Sequence, residues 1–459
     1  MSVSSALQFQ CNRLDGLSTG VFRLEAQNAT SNLPAQSVIR VTLPSNSLCD
    51  LHSTSFHFDV NTTSGAAGLI GCRLPNKIET MINRVSVSIG GVEVASGANF
   101  YNLLCHVKDV INGCWQDDFG MNHPKINTAV TAPLNYVCAN LALTNEEVTD
   151  AVGREAYYCI DNWYGFLGEC QPRVLDTALV GDIVVTLFLE QPSLCLTMSD
   201  DFNTDAGFIT SVALGGAVPN YVVNNVYFTI RCYNLADGAY ENMIASIMAS
   251  NPRGLEMGFK QYASFRDLNT GASRFSVSTQ SLDAIMVAHH TLNGTTPAGA
   301  DQHPILPLGA PQLITGSGPQ TVDGQATLGY MHPYTQFAAP AAVAGQATEY
   351  QFSLNGATYP MYRMTRMDVY QVMRLAGQYD YRSKQYGFNQ FVTDHFVSAI
   401  KLTLDAYNAR EIQGLNCRGI ALNGFYNIFN TAGNTTITLF CEMTSSLFID
   451  AGRQISVVT

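Results

Sequence analysis

Along much of the chain, apolar and polar residues take turns. The runs Val38–Leu43, Ser55–Val60, Arg84–Ile89, Val226–Cys232 and Ala399–Asp405 all alternate with period two. That period places successive side chains on opposite sides of a pleated strand, one row toward a core and the other toward solvent or a neighbour. Clusters of Gly, Asn, Asp and Pro separate the runs, which predicts short antiparallel strands in a sandwich or barrel. Helical spacing is confined to Asn99–Ile111, Thr144–Val152, Gly238–Ala249 and Met364–Ala376. Each lies between strand groups and reads as a helix inserted in a connecting loop. Thr144 with Glu147 also matches a capping box.

One pattern recurs. "VTLFLEQPSLCL" (185 to 196) and "ITLFCEMTSSLF" (437 to 448) align without gaps, so that Thr186, Leu187, Phe188, Glu190 and Ser193 meet Thr438, Leu439, Phe440, Glu442 and Ser445. At 459 residues the chain exceeds what one core usually supports, so two domains of roughly 200 residues are expected. The polar, Gly-rich passage through Asp200, Asp201, Gly207, Gly215, Gly216 and Pro219 predicts the division, giving domains at 1–210 and 211–459. A second passage, 293–348, is rich in Gly, Ala, Pro and Thr yet keeps Leu, Ile, Tyr and Phe. It reads as an ordered, projecting loop.

Two β-rich halves with helices confined to loops suggest an all-β chain of two tandem eight-stranded antiparallel jelly rolls. Several stretches, taken in order, resemble the double jelly-roll major capsid proteins of eukaryotic double-stranded DNA viruses, a family that includes those of virophages, polinton-like viruses and large algal viruses. "VIRVTLPSNSLCDLHSTSFHFDVN" is similar to the family's opening strands, and "NRVSVSIGGVEVASGANFYNLL" to its strand, glycine turn, strand and helix. "DIVVTLFLEQPSLCL" resembles the closing strands of the first roll, and "NNVYFTIRCYNLADGAYENMIASIM" the first strand and helix of the second. "SRFSVSTQSLDAIMVAHH" is similar to the second roll's central pair, and "TTITLFCEMTSSLFIDAGRQISV" to its closing hairpin.

The resemblance implies a homotrimer whose six rolls form a pseudo-hexagonal tile of an icosahedral shell. Its implied partners are neighbouring capsomers, penton and minor capsid proteins, and the host surface met by the outer loops, with either an internal membrane beneath the shell or other proteins keeping the genome compact. The implied place is the virion, assembled in the host cytoplasm or nucleus. The alternative class is a glycan- or receptor-binding jelly-roll spike or lectin.

Composition fits association. Hydrophobic residues form 46% of the chain, while charged residues form 13%, about half the usual share. A surface so poor in charge suits contact with other protein better than with water. The net charge is −12, with no basic run, so direct nucleic-acid binding is not expected. The N-terminal stretch lacks the charged and apolar regions of a secretory signal, and no window reaches 18 consecutive apolar residues. Twelve cysteines are scattered singly without a C-x-x-C pair, which reads as buried free thiols.

Chemical motifs are present but lack their contexts. "DFG" at Asp118–Gly120 has no accompanying phosphate loop or catalytic loop. His289 and His290 have no H-x-H or H-E-x-x-H spacing to make a metal site. Asp117/Asp118 and Asp200/Asp201 read as solvated turns, because glycosidase carboxylates must converge across a cleft. "GLSTG" around Ser18 lacks the strand and helix of a nucleophile elbow, and "GSGPQT" (316 to 321) lacks the third glycine of a dinucleotide loop. The expectation is therefore a chain without catalysis, cofactor or metal. Sequons at Asn28, Asn61, Asn293 and Asn434 are candidate glycosylation sites, Asn293 being best placed because it opens the long loop.

Overall fold

A computed structural model describes residues 17–28, 31–63, 71–73, 78–112, 141–142, 157–191, 197–199, 220–235, 238–251, 254–269, 271–291, 320–322, 325–327, 337, 339–376, 388, 391–392, 396–403, 412–418, 422–432, 435–450 and 452–459. The sandwich of the first half is built chiefly from β1 (Leu17–Glu25), β2 (Val38–Thr42), β3 (Leu48–Thr63), β4 (Ile82–Ile89), β5 (Val92–Ala95), β6 (Tyr157–Ile160), β7 (Val174–Asp176), β8 (Ile183–Leu189) and β9 (Asn220–Leu235). They form two antiparallel sheets. One runs β1–β9–β3, with β6 and β7 sharing the place beyond β3; the other runs β2–β8–β4–β5.

The second half repeats this order. Its strands are β10 (Leu255–Asn269), β11 (Ala272–Val277), β12 (Leu282–Thr291), β13 (Glu349–Leu354), β14 (Ala357–Met364), β15 (Val397–Lys401), β16 (Leu422–Phe429) and β17 (Thr435–Ile449), with β18 (Ile455–Val458) added beside β17. The sheets run β10–β17–β12–β15 and β11–β16–β13–β14. In each half the first strand pairs with the last, and the chain crosses between the sheets except at the β4–β5 and β13–β14 hairpins and from β6 to β7. Both halves are jelly rolls.

Local sequence sets matching turns. Gly90–Gly91 joins β4 to β5 and Asn355–Gly356 joins β13 to β14, both residues of each pair having positive φ. Such two-residue turns suit the twist of a hairpin, and Gly and Asn tolerate that backbone best. After β5, Gly97 at φ +72° launches helix α1 (Tyr101–Asn112); a Cβ there would lie 1.9 Å from the Val85 carbonyl oxygen. Helix α2 (Gly238–Ser250) connects the rolls, and helix α3 (Arg366–Ala376) follows β14. A reciprocal cap starts α3: Thr365 N donates to the Asp368 carboxylate at 2.9 Å, and Asp368 N donates to Thr365 Oγ1 at 3.4 Å.

Each roll is filled by its own buried residues, and the two sets join into one continuous cluster across the seam. Phe56 and Phe228 (centroids 4.9 Å apart) face Val87 and Leu187 across the first sandwich, while Phe352 and Tyr426 (4.8 Å) meet Ile285 and Leu439 in the second. The connections before β2, β4, β6 and β9 lie at one end of the first roll, and the corresponding ones lie at one end of the second. Helices α1 and α3, each following the fifth strand of its roll, touch, so these ends are neighbours. His106 of α1 also meets Phe337, in the connection before β13, edge to face at 4.9 Å.

Several expectations need correction. The division between rolls falls after Leu235, not at 210/211. Strand β9 is hydrogen-bonded between β1 and β3, so it closes the first roll and does not open the second. The aligned repeat does not join equivalent strands either. β8 is the penultimate strand of its roll and corresponds to β16, whereas β17 corresponds to β9. Shared β-propensity and a similar apolar run produced the likeness. Phe188 points outward, half-buried under the Arg84 guanidinium at 4.2 Å, while its neighbour Leu187 enters the core. The helix expected over 144–152 lies outside the described residues. Of the long passage 293–348, the structure describes a small hairpin of Gln320–Val322 with Gln325–Thr327, and the stretch from Phe337 that leads into β13.

Candidate functional site

The two rolls differ in one respect that bears on what the chain does. In the first roll strands β9 and β3 alternate buried and accessible residues, so their sheet has one covered face. In the second roll their counterparts β17 and β12, together with the neighbouring β15, are buried almost residue by residue, Thr436 to Leu447 without interruption. Both faces of this sheet are covered, the inner by its own roll and the outer by α1 and the segment 163–171 of the first roll. A strand buried on two sides reads as a continuous apolar run, as "ITLFCEM" does.

Charges are held inside that seam. Lys108 Nζ of α1 donates to Glu442 Oε2 of β17 at 2.8 Å and lies 3.5 Å from Glu169 Oε1. Lys260 Nζ of β10 donates to Asp283 Oδ2 at 2.6 Å and to Thr444 Oγ1 at 3.0 Å, and lies 3.6 Å from Glu442 Oε1. Hydroxyls complete the network. Tyr262 donates to Glu169 at 2.6 Å, Ser281 to Asp283 at 2.6 Å, and Tyr164 to Asp109 at 3.0 Å. Lys108, Lys260, Glu442 and Asp283 are each less than 6% exposed.

Burial pushes the Glu442 carboxyl up, but Lys108 and Lys260 outweigh it and hold the group below the ordinary carboxylate value. At the flank, Asn83 and Asn102 donate to Glu190 Oε2 at 2.6 and 3.1 Å, and Arg266 lies over the Phe100 ring at 4.6 Å. Burial raises the Glu190 carboxyl despite these donors. Among the described residues, the two lysines, Glu442 and Asp283 are almost wholly shielded from solvent. The cluster's chemistry is that of a clamp: charges that satisfy one another only when both rolls are correctly placed.

Sequence reading did not find these residues. The available signal was a lone charge inside an apolar run: Lys108 in "LLCHVKDVI", Lys260 in "MGFKQY" and Glu442 in "LFCEM". Lys and Glu are rarely fully buried unless paired.

The residues singled out from sequence are scattered. His289 lies in the second core, its Nε2 3.1 Å from Ser398 Oγ and 2.8 Å from Tyr426 OH. Tyr350, Phe396 and Tyr426 surround it edge to face, and burial pulls its pKa down to about 3. It is a neutral core histidine. Of His290 the structure gives only the backbone, paired opposite Thr436. Among the described residues, no group of three or more His, Cys, Asp or Glu is arranged to hold a metal ion. Ser18 lies exposed on β1 opposite Asn234, in mid-strand geometry and not at an elbow.

Asp117, Asp118, Asp200 and Asp201 lie outside the described residues, as do Asn293 and Asn434. The Asn28 side chain is engaged with β2, donating to the Val38 carbonyl and accepting from Arg40 N at 3.2 Å. Asn61 sits within β3 opposite Val222. Seven of the described cysteines are free thiols, six of them buried.

No protein-family model matches the chain, and no curated protein matches its sequence. Solved structures do. The chain aligns with the quasi-atomic model of the PBCV-1 virus capsid at 12% identity and a TM-score of 0.55, over 98% of this chain and 99% of that one. It aligns with the Faustovirus major capsid protein at 10% identity and a TM-score of 0.55, over 98% and 92% respectively. The chain has the double jelly-roll fold of these proteins. At such identity the likeness is one of architecture, and the double jelly roll coincides along nearly the whole length.

Proposed function

We propose that this double jelly roll is the major subunit of an icosahedral viral shell, acting by self-association with no catalytic step. The observation that carries the reading is the full-length coincidence of two tandem rolls with solved capsid proteins. Low charge content and a rigidly clamped pair of rolls support it, since a tile must keep its shape while neighbours press on it. Three chains place six rolls around one axis, giving a homotrimer with a pseudo-hexagonal outline. Its partners are neighbouring capsomers, penton and minor capsid proteins, with a membrane or condensing proteins between shell and genome. Host contact belongs to the loop-rich end, where the 293–348 passage leaves the second roll. The first roll spans residues up to Leu235 and the second begins at Leu255.

Copy number tests this directly. In purified particles the chain should be the most abundant protein, and negative-stain images of the concentrated protein should show three-lobed or hexagonal units. A trace amount on an otherwise complete shell would transfer the assignment to a receptor- or glycan-binding spike.

A further inference from the structure

Two cysteines face each other inside the first roll. Cys49 on β3 and Cys232 on β9 stand directly opposite in the antiparallel register, in a rung that runs Gly20, Cys232, Cys49, Leu175 across β1, β9, β3 and β7. Their Sγ atoms are 3.5 Å apart, the contact of two thiols sharing a hydrogen bond, and both side chains are buried. The two residues are 183 positions apart in sequence, so only the closing of the roll brings them together. A single cysteine in a core packs like a small hydrophobe and needs no explanation. This pair differs, because its backbone already has the geometry that a disulfide requires. Opposed residues of an antiparallel pair have Cα atoms about 4.5 or 5.5 Å apart, and a disulfide spans about 4.4–6.8 Å. The sulfurs need to approach by about 1.5 Å, to the ~2.0 Å of a bond, and rotation about χ1 supplies that.

The surroundings keep the pair slow to react. Burial pushes both thiols up, and at Cys49 the neighbouring Cys232 and Asp176 add to it. Little thiolate is therefore present, and the thiolate is the attacking species. Cover comes from Pro44, whose carbonyl oxygen is 3.7 Å from Cys49 Sγ, and from Ser47, whose carbonyl oxygen accepts from Thr177 N at 3.0 Å. The rung nevertheless lies near strand ends, Cys49 one residue inside the start of β3 and Cys232 shortly before the end of β9. Such ends open more readily than the middle of a sheet, which gives a reagent access.

We propose that Cys49 and Cys232 are a latent redox pair, free thiols in a reducing medium and joined to each other by a small-molecule disulfide such as oxidised glutathione. One cysteine thiolate attacks a sulfur of the reagent and expels a first thiol; the other cysteine then displaces the second thiol from the mixed disulfide. The cysteines lose two protons and two electrons, and the reagent leaves as two thiols. The new bond closes a loop that contains β4 to β8 and α1, so it fastens the two middle strands of the sheet around the helix that carries Lys108 to the seam. The chemistry is independent of the shell reading, and its use rests on that reading. For a shell subunit, made among reduced thiols and released into an oxidising medium, the bond would set after assembly.

The test uses the full chain. Protein purified in reductant is exchanged into oxidised glutathione, the reaction is stopped with acid, free thiols are alkylated as the chain is unfolded, and unreduced digests are mapped by mass spectrometry. The peptides bearing Cys49 and Cys232 should be recovered joined to each other. The melting temperature should rise by about 5–10 °C on oxidation and return on reduction. Cys232→Ala should abolish both the link and the rise, and Cys170→Ala, at a buried cysteine elsewhere in the first roll, should abolish neither. Recovery of Cys49 and Cys232 as free thiols, or each joined to glutathione or to a different cysteine, overturns the proposal. That result is read on the unaltered chain, so it holds whether or not the variants fold. The shell reading is decided separately, by the abundance of the chain in particles.

Discussion

Lys108 and Glu442 are 334 positions apart in sequence and 2.8 Å apart in space, joining the first roll's helix to the last long strand of the second. The pair is dry, so its attraction offsets a desolvation cost of several kcal/mol per ion only while both partners and their hydrogen bonds are present. Lys108→Met leaves Glu442, Glu169 and Asp283 with Lys260 as the remaining lysine of the clamp. Chemical denaturation should show a loss of about 3–5 kcal/mol. The double variant Lys108→Met with Glu442→Leu should recover much of that loss, because Lys260 keeps Asp283 and the partly exposed Glu169 keeps the Tyr262 hydroxyl. A double variant no more stable than Lys108→Met alone would show that the pair adds nothing beyond packing.

His289 gives a pH dependence whose sign is fixed. Its folded pKa is about 3 and its unfolded value 6.5, so the unfolded chain takes up the proton first. The stability it contributes is complete above pH 6.5 and declines as pH falls toward 3. Between pH 7 and pH 5 the loss should be about 2 kcal/mol, at ~1.4 kcal/mol per pH unit. A His289→Gln variant, compared with the parent at both pH values, should lack this increment. Glu442, held low, adds a further loss in the same direction at more acidic pH, below the ordinary carboxylate value of 4.5.

Orientation along β8 separates two neighbours. Leu187→Asp puts a carboxylate in the first core and should prevent soluble folding, at several kcal/mol. Phe188→Asp places it outside beside Arg84, costing about 1 kcal/mol as a cation–π contact gives way to an exposed ion pair. Phe440→Asp should fail like Leu187→Asp, since Phe440 is fully buried. Soluble yield and melting temperature of the three variants check the assignment.

Gly97→Ala tests how α1 is delivered to the seam. The added Cβ meets backbone at 1.9 Å in a left-handed conformation, so the turn must shift and carry Lys108 with it. A drop in melting temperature comparable to that of Lys108→Met is expected. An unchanged value would show that the turn relaxes without moving the helix.

Much of this fold was legible before the structure. Period-two runs marked β2, β3, β4 and β9, and the Gly90–Gly91 and Asn355–Gly356 turns carry the hairpin signal in their own residues. Helical spacing located α1, α2 and α3. Strand membership was not legible: "VYFTIRC" alternates equally well as the end of one roll or the start of the next, and only hydrogen bonding to β1 and β3 decides. Strand β1 escaped notice because Ser18, Thr19 and Gly20 are accessible and give no apolar row. The clamp escaped for a related reason. A lysine in an apolar run announces that a partner exists, but the partner's position belongs to tertiary structure.

The gathering of the longest connections at one pole has an evolutionary consequence. Residues can be gained or lost there, as between β12 and β13, without changing the girth of either sandwich. A double sandwich built this way keeps its cross-section while the length of chain between its strands is free to vary.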